Sequence, residues 1–208
     1  MPGIIDTKNG YCAMGGALRY NDDFYLRHAL HELCPIKISI ENDAKCAAMT
    51  EAAVGSLKDV SDGFVMIFGT GIGGGYIKNH KLHKGAHFSA GEISALITDR
   101  NGTPAMDGIF GGRCGTPRLC KMYANAKKIP ENEVDGVVFF KALNAGDEIA
   151  VQIFNIQTVL DPQRFAIGGG ISAQPVFYRV NSRKSQKTLC RLSLLRSSRR
   201  DCDLQISK

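Results

Sequence analysis

The stretch Phe64-Val65-Met66-Ile67-Phe68-Gly69-Thr70-Gly71-Ile72-Gly73-Gly74-Gly75-Tyr76-Ile77-Lys78 governs the reading of the whole chain. Residues 64–68 are apolar without interruption, the pattern of a strand covered on both faces. Tyr76, Ile77 and Lys78 read as a second strand, so the glycines between them predict a β-hairpin. Five of the seven positions from Gly69 to Gly75 are glycine. Such a run lets backbone N–H groups approach an anion closely, and Thr70 adds a hydroxyl. The plainer alternative is a tight hairpin whose turn demands positive φ. A strand rather than a helix follows, which excludes the dinucleotide-binding fingerprint, and no Walker lysine is present.

Upstream of this hairpin, residues 23–33 place Phe24, Leu26, Ala29, Leu30 and Leu33 at helical spacing, with Asp22 and Asp23 suited to the first turn. Pro35 stops that helix. Residues 36–40 alternate apolar and polar side chains and predict a half-buried strand, while residues 44–54, rich in Ala, Met and Glu, predict a helix. Glu41-Asn42-Asp43 therefore sits on a strand-to-helix turn. Downstream, Asn79-His80-Lys81 supplies a turn into a short third strand at 82–84. Helices are expected at 117–126, 133–143 and 147–160, the last ended by Asp161-Pro162. Residues 164–167 form a final buried strand running into Gly168-Gly169-Gly170. Beyond Phe177 the chain turns to Ser, Arg, Lys and scattered Leu without a period, and residues 178–208 are expected to be poorly structured. There is no internal repeat.

With 208 residues and 44% hydrophobic content the chain can build one large domain or two small lobes around a real core. Its apolar runs are far too short to cross a bilayer. The opening residues 1–6 carry neither a basic region nor a sustained apolar stretch, so a cytoplasmic location is expected. Seven cysteines, an odd number without regular spacing, fit reduced thiols better than a disulfide framework. The net charge of +6 is unevenly placed. Residues 1–178 hold 17 Lys and Arg against 18 Asp and Glu, whereas residues 179–208 hold nine against two. The body thus offers a polyanion no electrostatic footing, and any nucleic-acid contact would be nonspecific, through the basic tail.

Several residues carry chemistry. Asp43, at a strand end beside Asn42, could accept a hydroxyl proton during phosphoryl transfer; alternatively, Asn42 or Asp43 merely caps the following helix. Glu92 could bind sugar hydroxyls with its two acceptor oxygens, or be an ordinary first-turn glutamate. Gly168, Gly169 and Gly170 could let a purine or ribose lie against bare backbone, or form a flexible loop. Cys114 and Cys120 fall short of the four ligands of structural zinc, so no metal ligand is assigned. His28 and His31 read as surface or packing residues.

The order of these signals is informative: Pro2-Gly3-x-x-Asp6, Glu41-Asn42-Asp43-Ala44, the hairpin at 69–75, Leu82-His83-Lys84-Gly85-Ala86, Ala90-Gly91-Glu92 and Gly168-Gly169-Gly170-Ile171-Ser172. From Pro2 to about Pro175 this resembles the ROK family of repressors, open reading frames and kinases. The resemblance implies an α/β, actin-like ATPase (ribonuclease-H-like) fold, with a partial small sugar-binding lobe over residues 1–43 and a large lobe over 44–177. It implies ATP-dependent phosphorylation of a hexose or hexose derivative, with Asp43 as catalytic base and Asn42 and Glu92 binding the sugar. Gly69, Thr70, Gly71, Gly73 and Gly74 would contact the ATP phosphates, and Gly168, Gly169 and Gly170 would lie near the adenosine. Mg2+ would accompany the nucleotide, and a homodimer is a further expectation from relatives.

Three departures stand out. The family's Asp-x-Gly-Gly-Thr phosphate loop does not precede Pro2, which predicts an N-terminally incomplete chain with impaired turnover. Glu92 is followed by Ile93-Ser94-Ala95 rather than a sugar-contacting histidine and cysteine cluster, which points away from zinc and toward relatives resembling β-glucoside kinases. The basic tail replaces the expected final helices, as a frameshift would. The alternatives are a sugar-responsive transcriptional regulator of the same family and a sugar-binding remnant without turnover.

Overall fold

The computed structural model describes residues 1–98, 107–134 and 145–170, together with 203–206; for 145–147 and 203–206 only the backbone is described. The apolar run found in the sequence becomes β3 (Gly63–Phe68), the middle of a five-stranded sheet. Its antiparallel partner β4 (Ile72–Lys78) leads to β5 (Lys81–His83), and on the other side β3 pairs in parallel with β6 (Arg164–Gly168). A fifth strand, β7 (Asp203–Ile206), extends the sheet parallel to β6, giving the order β5-β4-β3-β6-β7. Residues 203–206 lie in the segment expected to be unstructured. That expectation is corrected there, because backbone pairing to an open parallel edge needs no hydrophobic period of its own. The rest of 178–208 lies outside the described residues.

Side chains of β3 alternate between two cores, as the period of a strand requires. Phe64, Met66 and Phe68 join Ile72, Tyr76, Phe165 and Ile167 on one face, beneath Ile149, Ile153 and Ile156 of the helix Ala145–Leu160 (α5). The same cluster takes in Phe110 and Cys114 of α3 (Phe110–Cys114) and Leu119 and Tyr123 of α4 (Thr116–Lys127). On the opposite face Val65, Ile77 and Ala166 pack with Ala48 of α2 (Asp43–Ala53), Leu57 and Val60. Helices therefore cover both faces, and both halves of the apolar run at 64–68 are buried. Each such side chain contributes about 1.5–3 kcal/mol of transfer free energy.

The first 40 residues build a separate two-stranded sheet, β1 (Ile4–Asp6) against β2 (Tyr11–Met14), that the sequence pattern does not announce. Asp6 closes its turn by accepting bonds from the Lys8 and Asn9 amides. The helix expected at 23–33 is α1 (Leu26–Leu33), shortened because Phe24 exchanges both backbone bonds with Cys12 and so extends the β2 edge. The strand expected at 36–40 is corrected: no ladder forms there among the described residues. Alternation makes a segment fit for a sheet, but a strand also needs a neighbour's hydrogen-bonding edge. The helix expected at 133–143 falls almost wholly outside the described residues, with Glu131–Glu133 forming a short 3-10 turn before it. No described helix is long and apolar enough to cross a membrane.

Candidate functional site

The site begins at the N-terminus of α2. Asn42 is its N-cap: the side-chain oxygen accepts the Lys45 amide at 3.0 Å, and the side-chain nitrogen donates to the Gly3 carbonyl at 2.8 Å. The residue is 4% exposed, so both bonds are made away from water, and it ties the helix start to the segment entering β1. Asp43 follows at the first helical position with an exposed carboxylate, one oxygen of which accepts the Ala44 amide at 2.9 Å. Capping and surface presentation are thus divided between two adjacent residues.

The glycine run also divides. A Cβ on Gly73 would lie 2.5 Å from the Ala44 Cβ, and one on Gly75 would lie 2.4 Å from the Ala48 Cβ. A Cβ on Gly74, pointing to the other face, would meet the Gly91 carbonyl oxygen at 2.7 Å and Ile93. These three glycines let α2 and the 91–93 turn lie directly on β4, closer than any side chain permits. Gly69 and Gly71, at the hairpin tip, face open space, and no residue from 69 to 75 has a positive φ between +20° and +160°. Thr70 and Gly71 are exposed at the tip, while the Gly69 amide donates to the Gly71 carbonyl at 2.9 Å. Because Ala44 sits on Gly73 and Ala48 on Gly75, the N-terminus of α2, with Asp43, lies at the tip end of β4.

Glu92 reaches the same place through Gly91, whose φ of +82° turns the chain against the backbone of Gly74 and Gly75. Ser94 donates its hydroxyl to Glu92 Oε1 at 2.6 Å. Burial pushes the Glu92 carboxyl above the ordinary carboxylate range, against the opposing pull of Ser94 and Lys45, while the nearby Asp43 charge adds to the rise. Lys45 is 2% exposed and donates from Nζ to the Phe88 carbonyl. Burial lowers its pKa, and the charges of Glu41 and Glu92 resist that change. Glu41 is itself paired with Lys84 at 2.6 Å, and Lys84 also donates to Thr7 Oγ1 at 2.7 Å, joining the first sheet to the second.

Gly168, Gly169 and Gly170 stand at the end of β6, one strand over from the tip. Gly169 has φ +97°, and a Cβ there would lie 2.2 Å from the Phe68 carbonyl oxygen, so only glycine fits; Gly170 is open. The junction of α3 and α4 meets the hairpin tip from its own side. Thr116 donates both its amide (3.0 Å) and its hydroxyl (2.6 Å) to the Gly69 carbonyl, and Gly115 packs against the Thr70 carbonyl. Cys114 is buried and donates its thiol to Glu148 Oε2; burial, then that bond, push its pKa far up, so it is a neutral thiol rather than a metal-ready thiolate.

Asn42, Asp43, Glu92, Gly69, Thr70, Gly71, Gly168, Gly169 and Gly170 thus lie toward one end of the sheet, where β3 and β6 finish, while Gly73 and Gly74 are inside β4, opposite Ile67 and Met66. Open α/β sheets bind ligands at such an end. Gly73 and Gly74, like Gly169, are taken up by packing, whereas a Cβ on Gly69, Gly71 or Gly170 would meet nothing within 4 Å. Lys45, Ser94 and Thr116 were not singled out in the sequence. Lys45 left a trace there, as a cation beside the Ala44 and Ala48 stripe of α2, and Gly115-Thr116-Pro117 is a helix-start signal.

A mixed sheet of this order, helices on both faces and a glycine hairpin at the helix-capping Asn-Asp pair define an actin-like ATPase domain. The ROK family model matches residues 1–196, and the chain belongs to the ROK family. It is 32% identical over 189 residues to a beta-glucoside kinase from Klebsiella pneumoniae, a match covering 85% of this chain and 64% of that relative. Among solved structures, the Lmo2764 protein of Listeria monocytogenes superposes with a TM-score of 0.80 at 27% identity, covering 100% of this chain and 72% of its own. A Streptomyces griseus ROK glucokinase in complex with glucose and AMPPNP gives 0.80 at 19% identity, covering 98% and 73%, and supports the fold. The chain spans just under two thirds of the length of the kinase relatives it matches in sequence.

Proposed function

We propose that this chain acts in ATP-dependent phosphorylation of a sugar hydroxyl, with a β-glucoside as the first acceptor to test. The observation that supports this is the seating of α2 on β4: Ala44 lies against Gly73, so the start of α2, where Asp43 is exposed, is at the tip end of β4. An acceptor hydroxyl held next to Asp43 loses its proton to that carboxylate as its oxygen attacks the terminal phosphorus of ATP and ADP leaves. Glu92, half-buried and with its pKa raised by burial, accepts hydrogen bonds from other sugar hydroxyls. In this reading the exposed Thr70 and Gly71 at the tip offer donors to phosphate oxygens, and Gly170 leaves bare backbone for the adenosine. Asn42 supports the site through the cap rather than through a free amide. Mg2+ would be held mainly by the substrate phosphates, with Asp43 the carboxylate that would share in holding it through a bridging water, and would offset charge on the transferring group.

The β-glucoside preference is drawn from the name of the Klebsiella relative. The test is calorimetry and ADP release with cellobiose, glucose and their N-acetylated counterparts, in ATP and Mg2+. Heat and ADP release with cellobiose above the others are expected. Failure of every sugar to give either signal would sink the proposal.

A further inference from the structure

Lys45 is among the largest fully buried side chains of the described residues, and it is a cation in a helix otherwise packed through alanine. An ammonium carries three donors, and its Nζ donates to the Phe88 carbonyl. Phe88 has φ +59°, a left-handed backbone that a bulky residue adopts only where its surroundings hold it. That conformation sits inside the turn from Lys84 to Glu92, which closes through the Ala90 amide on the Lys84 carbonyl at 3.2 Å and the Glu92 amide on the Ser89 carbonyl at 3.1 Å. Burying a charge costs several kcal/mol in general unless it is paired, and Glu41 and Glu92 are the carboxylates whose charges act on it. Glu41 is already committed to Lys84. The cation therefore serves the turn and Glu92, not the helix that carries it.

We propose that Lys45 is a positioning residue that fixes the 84–92 turn against α2 and thereby sets the Glu92 carboxylate in the acceptor site; the sugar-facing part of this rests on the kinase reading above. Amide hydrogen exchange on the whole chain tests it. In Lys45→Met, which keeps length without charge or donor, the Ala90 and Glu92 amides should exchange about tenfold faster or more, as loss of a charged hydrogen bond implies. The Cys46 amide in α2 and the amides of β3 should stay as protected as before. Lys45→Arg, retaining a cationic donor, should restore most of the protection. In Lys45→Met the KM for sugar should rise about tenfold while kcat and the KM for ATP change little, and in Lys45→Arg the KM for sugar should stay close to the wild-type value. Unchanged exchange at Ala90 and Glu92, or equal acceleration throughout the chain, overturns the proposal, as does a turn that opens without any change in sugar KM. A wild-type chain inert to every sugar refutes the kinase reading and the sugar-facing clause with it, whereas the exchange pattern still decides whether Lys45 fixes the turn.

Discussion

The two ends of one glycine run do opposite jobs. At the tip, Gly69 and Gly71 face open space, while along β4 Gly73, Gly74 and Gly75 lie under Ala44, the Gly91 carbonyl and Ala48. The residue type is the same at both ends, and the neighbours differ. A glycine that admits a ligand and a glycine that admits a helix look alike in sequence, because both are defined by what a Cβ would strike. The packed end also explains the open one: with α2 drawn onto β4, Asp43 is carried to the tip.

The sharpest way to break this comparison is at Asp43. Replacing it with asparagine should lower phosphoryl transfer by about 10²–10⁴-fold, the usual worth of a positioned general base, while the thermal midpoint barely moves. Turnover that survives the change would remove Asp43 from the chemistry and leave the hairpin without a catalytic neighbour. Next in size, Gly73→Ala and Gly75→Ala should each cost about 1–3 kcal/mol in urea unfolding, since each adds a carbon within 2.5 Å of an alanine Cβ that cannot retreat without moving α2. Full stability in both variants would show that helix and strand can part, and the division of the run would fall.

A smaller effect concerns acid. Ionised, Glu92 accepts hydrogen bonds at both oxygens, and protonation turns one of those positions into a donor; burial raises its pKa above the usual range. Acidification therefore protonates it nearer neutrality than an ordinary glutamate, and sugar affinity should begin to fall above the usual glutamate pKa of about 4.3. A titration of sugar binding in which Glu92→Gln shows the same acid limb would assign that limb elsewhere. Smallest of all, Gly69→Ala and Gly71→Ala should change stability by no more than about 0.5 kcal/mol yet raise the KM for ATP. If either proves as destabilising as Gly73→Ala, the tip is a packing site after all.

Much of the large sheet was legible in the residues. The apolar run at 64–68, the helix composition after Asp43 and the Asp161-Pro162 stop each act over a few neighbours, and β3, α2 and the end of α5 lie where those signals put them. The expected strand at 36–40 and the unexpected ones at β1, β2 and β7 mark the limit, because each depends on which edge stands beside it. The residues proposed for the site, Asn42, Asp43 and Glu92 among them, were legible as motifs in order. Lys45 and Thr116 were not, since a buried lysine and a helix start touching a hairpin carry no local signature.

The chain's order of amino acids alone settled which segments could be buried and where its punctuation falls, because those properties reside in side-chain polarity and backbone freedom within a few residues. Only the tertiary structure decided that Gly73 and Gly75 seat α2 while Gly69 and Gly71 stay open, and that Lys45 reaches the Phe88 carbonyl. Those facts belong to pairs of atoms far apart along the chain, and the packing of one element on another is what brings them within contact.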